Sequence, residues 1–385
     1  MSEWKKVKLE DISTSIQTGP FGSQLHQSDY SEKGVPVVMP KDIIDGKVDD
    51  SSIARVEMHH IQRLSRYTIS EGDILYPRRG DVGKCAFISA KQNGWLCGTG
   101  CLRVSINQDK ANSRFIFFQL QKHDTIGWIE NHAIGATMLN LNTSILSNVP
   151  IELPTLNTQR RIAEILSRYD SLIENYQRQI KLLEEAAQRL YKEWFVDLHF
   201  PGHENTPIID GIPEGWVNTN INNILTFHRG YDLTHKEFID GEYPVVGSTS
   251  IIGYHNRFKI EGPGIITGRS GSLGKYQLVW ENFWPHNTSL YICDFKGHDI
   301  YYIYCLLQTI DFTTLNSGGA IPSLNRNTLS SISVKEPPKV IQNAFSNKVK
   351  PMFLIKRQRQ TQIRNLTEAR DRLLPKLMSG DIQVS

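Results

Sequence analysis

The sequence has no run of about 18 uncharged apolar residues, the length a helical membrane span needs, so none is expected. Its opening residues, MSEWKKVKLEDIS, have no apolar core, and no secretory signal is expected either. Cysteine is scarce. The five thiols, Cys85, Cys97, Cys101, Cys293 and Cys305, are odd in number and scattered, which argues against a disulfide framework and points to a cytoplasmic protein. Cys97 and Cys101 (C-G-T-G-C) resemble half a metal site, but no second pair or histidine cluster completes it, so no metal is expected. Catalytic signatures are missing too. There is no adenosine-binding glycine-rich loop and no Asn/Asp-Pro-Pro-aromatic tetrad. A phosphate-binding Gly-x4-Gly-Lys-Ser/Thr loop fails twice: Arg78 and Cys85 flank Gly83-Lys84, and Arg269 and Tyr276 flank Gly274-Lys275. No nucleophile–base pair or carboxylate cluster is legible, so no catalytic residue is assigned.

What is present begins with enough chain, 385 residues with 39% hydrophobic and 22% charged, for two or three domains with proper cores. The chain also repeats itself. Trp4 opens WKKVKLEDI and Trp216 opens WVNTNINNI, 212 residues apart. GDILYPRRGDVGK (72–84) answers GPGIITGRSGSLGK (262–275), matching Gly80, Gly83 and Lys84 to Gly271, Gly274 and Lys275, 191 residues apart. AIGATMLNLNTSILSNVPI (133–151) answers SGGAIPSLNRNTLSSISV (317–334), matching Gly135 to Gly318 and Leu141-Asn142 to Leu324-Asn325, 183 apart. The shift then stays at 183: Gln159, Gln177, Gln179, Ile180, Leu183, Glu185, Ala186, Arg189 and Leu190 all recur as the same residue type. Insertions fall in the globular parts, where loops tolerate them, and none falls in the segment that follows.

That segment is free of glycine and reads as a long helix in each copy. In the first, Ile162, Leu166, Tyr169, Ile173, Tyr176, Ile180, Leu183, Ala187, Leu190 and Trp194 step by four and three, a sustained heptad seam. The second places Phe345, Val349, Met352, Ile363, Leu366, Leu373 and Leu377 on the same seam. It also places Lys356, Arg359 and Arg370 there, and Pro351 predicts a kink in its first half. Two such helices are expected to pack on each other antiparallel as a coiled coil; the plainer alternative is that they are core helices of one domain. Charge is uneven. Lys339 to Lys376 holds ten Lys/Arg against Glu368 and Asp371, whereas Gln159 to Phe195 holds seven against six acids. A basic helix is either a solvated face or a surface for DNA or a partner.

The parts before the helices read as mixed α/β, with short strands at VPVVM (35–39), GDILYP (72–77), YPVVG (243–247), GPGIITG (262–268) and SLYIC (289–293). Helices are expected around 113–122 and 299–309, and Met58–Leu64 can add another. The expected divisions are a globular unit 1–154, a helical region 155–200, a linker 201–215 rich in proline and glycine, a globular unit 216–338 and a helical region 339–385. Candidate DNA contacts are the recurring basic turns, Arg78, Arg79 and Lys84 in one copy and Arg269 and Lys275 in the other, since phosphates attract Arg and Lys and glycine lets backbone approach. Arg and Asn also bridge the edges of guanine and adenine. Thr137, Asn140 and Asn142, then Ser323, Asn325 and Arg326, and then His286, Asn287 and Thr288 are candidates of that kind. The alternative is that the glycine turns are hairpin corners and the Asn residues are turn formers or helix caps.

The order and duplication of several phrases resemble the specificity (S) subunit of type I restriction–modification systems: TGPFGSQL (18–25), YPRRGDVGK (76–84), QRLYKEWFVDLHFPG (188–202), IPEGW (212–216), YPVVGSTSIIGYHNRF (243–258), FWPHNTSLYI (283–292) and LLPKLMSGDI (373–382). The likeness covers essentially the whole chain. It implies a non-catalytic subunit with two target recognition domains, each reading half of a split sequence in double-stranded DNA. The helices would set the spacer and dock two methyltransferase (M) subunits, with restriction (R) subunits joining through them. S-adenosylmethionine, ATP and magnesium would belong to those partners. Two alternatives stay open: the specificity module of a methyltransferase-only or phage-defence system, and a coiled-coil scaffold without a DNA role.

Overall fold

The computed structural model describes residues 4–135, 138–268, 274–310 and 332–384. The chain folds as two compact units, 1–173 with 365–385, and 174–364, each taking part of both long helices.

In the first unit a four-stranded sheet runs in the order Ser13–Thr18, Cys101–Ile106, Ile74–Pro77 and Ala86–Phe87, antiparallel throughout. Composition accounts for the burial of its strands. Ile74, Leu75 and Tyr76 are fully covered, as are Leu102 and Val104 on alternate positions of the neighbouring strand. A second sheet orders Leu96–Cys97, Val35–Val38, Ala54–Val56 and Tyr30–Ser31, with the first two strands parallel. Helix Ser113–Leu120 opens on Asn112, whose side chain accepts from Phe115 N at 2.9 Å, and buries Phe115 to Phe118. Helices Met58–Arg63, His123–His132 and Thr143–Ser147 complete the unit.

The second unit repeats the plan. Its four-stranded sheet orders Thr226–Arg229, Ser289–Asp294, Gly264–Gly268 and Tyr276–Val279, again antiparallel. A three-stranded sheet orders Ile251–His255, Tyr243–Val246 and Trp284–Pro285, and its last pair is parallel, like Leu96–Cys97 beside Val35–Val38. Helix Ile300–Leu307 is capped by Asp299 and buried along its length. The strand pairs Lys5–Lys8 with Pro150–Leu153 and Val217–Asn220 with Ser333–Glu336 tie the start of each copy to the strand that leads into its long helix.

The long helices span Leu156–Tyr191 and Lys339–Met378. In the first unit Ile162 and Leu166 share a core with Leu377 and Met378, and Asp170 meets Arg370. In the second, Tyr191 stacks edge-on to Phe345, Glu184 meets Lys356 and Gln179 meets Arg359. Partner numbers fall on one helix as they rise on the other, so the segments in each unit run antiparallel. The seam is not uniform. Its outer positions Ile162, Leu166, Ala187, Phe345, Val349 and Leu377 are buried in globular cores, whereas Tyr176, Ile180, Leu183, Ile363 and Leu366 are half-buried on the helix pair.

The second helix stays α-helical through Pro351, where a kink is expected. The ring removes one hydrogen bond, while Phe345, Val349 and Phe353 anchor that stretch in the core. The segment 201–215, expected as a linker, belongs to the second unit, and the units divide inside the helices. The physical reason is aromatic packing. Phe200 and Trp216, at 5.2 Å between ring centroids, bury on either side of it, and Ile208–Ile209 pairs with Ile212–Pro213 between them.

Candidate nucleic-acid interface

The register of the first unit's central sheet decides which loops meet. Thr18 pairs with Leu102, and Cys101 pairs with Pro77. The end of strand Ser13–Thr18, the start of Cys101–Ile106 and the end of Ile74–Pro77 therefore share one edge. The Arg78–Lys84 turn leaves from that edge. Arg78 N donates to Gly100 O at 2.7 Å, while Leu141 N donates to Arg78 O at 2.8 Å and Gly80 N to Leu139 O at 3.1 Å. Arg79 and Asn140 form an isolated bridge, and so do Ile134 and Asn140. Residues about sixty positions apart in sequence, Arg78–Lys84 and Asn140–Asn142, are thus brought side by side; Thr137 lies outside the described residues.

The side chains there divide by role. Arg79 is exposed and makes no ion pair among the described residues. Lys84 is exposed and held 2.7 Å from Asp81, whose hydrogen bond and charge raise the lysine above its ordinary pKa. Arg78 is half-buried; its Nε, Thr99 Oγ1 and Asn140 Oδ1 are buried without a hydrogen-bond partner among the described residues. The Asn142 oxygen serves the N-cap of helix Thr143–Ser147, accepting from Ile145 N at 2.8 Å. The two glycines differ in purpose. Gly80, at φ +82°, has open space where a Cβ would stand, whereas a Cβ on Gly83 would come within 2.8 Å of Ile126 and Glu130. Gly83 serves the packing of helix His123–His132 and not the approach of a ligand.

The second unit builds the same edge with other side chains. Gly230 N donates to Ser289 O at 3.1 Å as Gly19 N does to Cys101 O at 2.9 Å. His286 N donates to Val246 O as Gly98 N does to Val38 O, both at 2.9 Å. His286-Asn287-Thr288 therefore occupies the place of Gly98-Thr99-Gly100. His286 Nε2 lies 3.2 Å from Leu233 O and Nδ1 lies 3.0 Å from Thr288 Oγ1, and Asn287 donates to Asp232. Lys259 Nζ sits 4.8 Å above the Trp284 ring. Lys275 is exposed and makes no ion pair among the described residues. Arg269, Ser323, Asn325 and Arg326 lie outside the described residues. Loop 98–100 and Lys259 escaped the sequence reading, because the Gly-Thr-Gly and His-Asn-Thr loops share no residue at a matched position and only strand register equates them.

Among the described residues, no cluster of three or more His, Cys, Asp or Glu is placed to hold a metal, and no helix is long and apolar enough to cross a membrane. Cys97 and Cys101 are both buried, with Cys101 Sγ 3.4 Å from Val38 O.

Residues 1–185 and 213–365 match the family described as the type I restriction modification DNA specificity domain. The chain belongs to that family. The match appears twice, once in each copy of the repeat. The specificity subunit of the type I restriction enzyme MjaIX from Methanocaldococcus jannaschii is 25% identical over 416 residues, covering 99% of this chain and 94% of that one. The HindI specificity subunit from Haemophilus influenzae is 22% identical, covering 99% of this chain and all of its own. A solved S subunit from M. genitalium shares the fold at a TM-score of 0.62 and 19% identity, covering 97% of this chain and 96% of that one. The protein is a DNA specificity subunit of a type I restriction–modification system, a non-catalytic component acting with methyltransferase and restriction subunits on DNA.

Proposed function

We propose that each unit reads one half of a split duplex sequence with the loop edge of its central sheet, and that the long helices set the unread gap. The observation that carries this is the same strand order in both units, with Arg78–Lys84 following the third strand in one and the exposed Lys275 opening the fourth strand in the other, on loops whose side chains differ. Equal scaffolds with unequal edges suit two half-sites of different sequence. Arg79, Lys84 and Lys275 supply phosphate contacts, which position a protein on DNA, and Asn140, His286 and Asn287 address base edges, a reading that the Arg79–Asn140 bridge supports in the first unit. Arg269, Thr137, Ser323, Asn325 and Arg326 join the same reading on sequence grounds.

The unbroken shift of 183 through both helices supports their role in spacing, since one added residue would turn a seam by about 100°. The repeat also supports two docked methyltransferase subunits, one for each copy, with restriction subunits joining through them. In this reading S-adenosylmethionine, ATP and magnesium are held by those partners. The test is a gel shift on cognate duplex with the methyltransferase subunit present. Arg79→Ala, Lys84→Ala and Lys275→Ala combined should weaken binding and lower the slope of log affinity against log salt by about 0.9 for each phosphate that is no longer neutralised. Undiminished binding would rule out these three side chains as phosphate ligands. Failure of the parent protein to bind any duplex would favour a scaffold instead.

A further inference from the structure

The three basic residues on the second helix's seam each have a partner on the first helix. Lys356 is 6% exposed, and its Nζ lies 2.6 Å from Glu184. Arg359 Nε donates to Gln179 Oε1 at 2.8 Å, and its guanidinium lies 4.8 Å above the Tyr176 ring. Arg370 Nη1 donates at 2.9 Å to Asp170, which Arg114 also holds at 2.8 Å. Only the Gln179 contact is symmetric under the repeat. Moving each first-helix partner on by 183 residues keeps Gln179 as Gln362 but replaces Glu184 with Thr367, Asp170 with Phe353 and Tyr176 with Arg359 itself.

We infer that these positions select the first helix as the partner of the second and reject a second copy of the second helix. In a self-pairing of second helices at the same register, Lys356 would be buried against Thr367, Arg370 against Phe353, and Arg359 against its own twin. A buried cation without a counter-charge and a like-charge contact both oppose association strongly, and polar seam positions are how paired helices set partner and register. The matched pair adds little stability over an apolar seam; its effect is discrimination. Pairing therefore always joins the unlike halves of the repeat.

The test uses full-length chains. Lys356→Glu and Glu184→Lys singly should each lower the melting temperature by several degrees, and the double variant in one chain should recover most of the loss. Additive losses in the double variant would overturn the inference. Two differently tagged single-variant chains, co-expressed, provide the selectivity readout. Only cross-chain pairing of Glu184→Lys with Lys356→Glu matches charge at both positions, so each should capture the other in preference to its own copy. Equal capture of like and unlike copies would contradict the selection. Should either single variant fail to accumulate alone, co-expression still decides, because matched pairing should restore both and failure to restore them counts against the inference. These readouts involve no DNA, so their failure is separable from failure of the half-site reading.

Discussion

Four of the five thiols sit where a thiolate is costly. Burial pushes Cys85, Cys97 and Cys305 up to about 12 and raises Cys101 well above its ordinary value, whereas Cys293 is exposed. A thiol reagent applied to the native protein should therefore titrate one cysteine rapidly and the other four only in denaturant; two or more fast thiols would contradict the packing. The same residues carry a pH dependence. Their folded values lie above the ordinary thiol value of 9.0, so their contribution to stability is whole below that pH and is lost as pH climbs toward about 12. Burial raises Tyr76 and Tyr191 in the same direction. Lys356 is raised too: burial lowers it, but the charge of Tyr304 and the hydrogen bond and charge of Glu184 outweigh that. Melting temperature should fall progressively above about pH 9, a trend calorimetry checks, and an unchanged value through that range would count against these shifts. The basic turn was legible at this scale because Gly80, Gly83 and Lys84 recur. The separate purposes of its glycines were not, since helix His123–His132 reaches Gly83 only in three dimensions.

At the scale of elements, the repeated Gln159 and Gln342 show what a recurring residue in a helix's first turns is for. Gln159 Nε2 donates to Pro154 O at 2.8 Å and its Oε1 accepts from Asn112 N at 2.9 Å. Gln342 Nε2 repeats the first bond, to Pro337 O at 2.7 Å. Each glutamine clamps the strand end to the helix start, so the direction of the long helix is set from its globular body. Gln159→Ala leaves a half-buried carbonyl and a half-buried N–H unmet and should cost about 1 kcal/mol in urea unfolding, whereas an unchanged midpoint would reduce the clamp to ornament. Heptad stepping predicted both long helices, and strand composition predicted the main strands, because a 3.6-residue or two-residue period is written locally. The place where the units divide was not written locally. Proline and glycine in 201–215 signal turns, and only the burial of Phe200 and Trp216 shows that those exposed turns are anchored to a core at both ends.

At the scale of the whole molecule, the two copies diverge in the loops at one edge of the central sheet and agree where they hold shape. The central sheets keep one strand order, and the helices keep one length of shift, while Gly98-Thr99-Gly100 answers His286-Asn287-Thr288 across the repeat. Membership of the specificity family explains why such divergence accompanies a preserved frame. Which bases a DNA specificity subunit reads depends on side-chain placement against a particular duplex, and no residue code in the sequence carries it. The most direct test is methylation mapping, by single-molecule sequencing, of DNA from cells that express this chain with its cognate methyltransferase subunit. The account predicts one split motif, two unlike half-sites separated by a gap of fixed length; a continuous motif, a palindromic pair or a variable gap would contradict it.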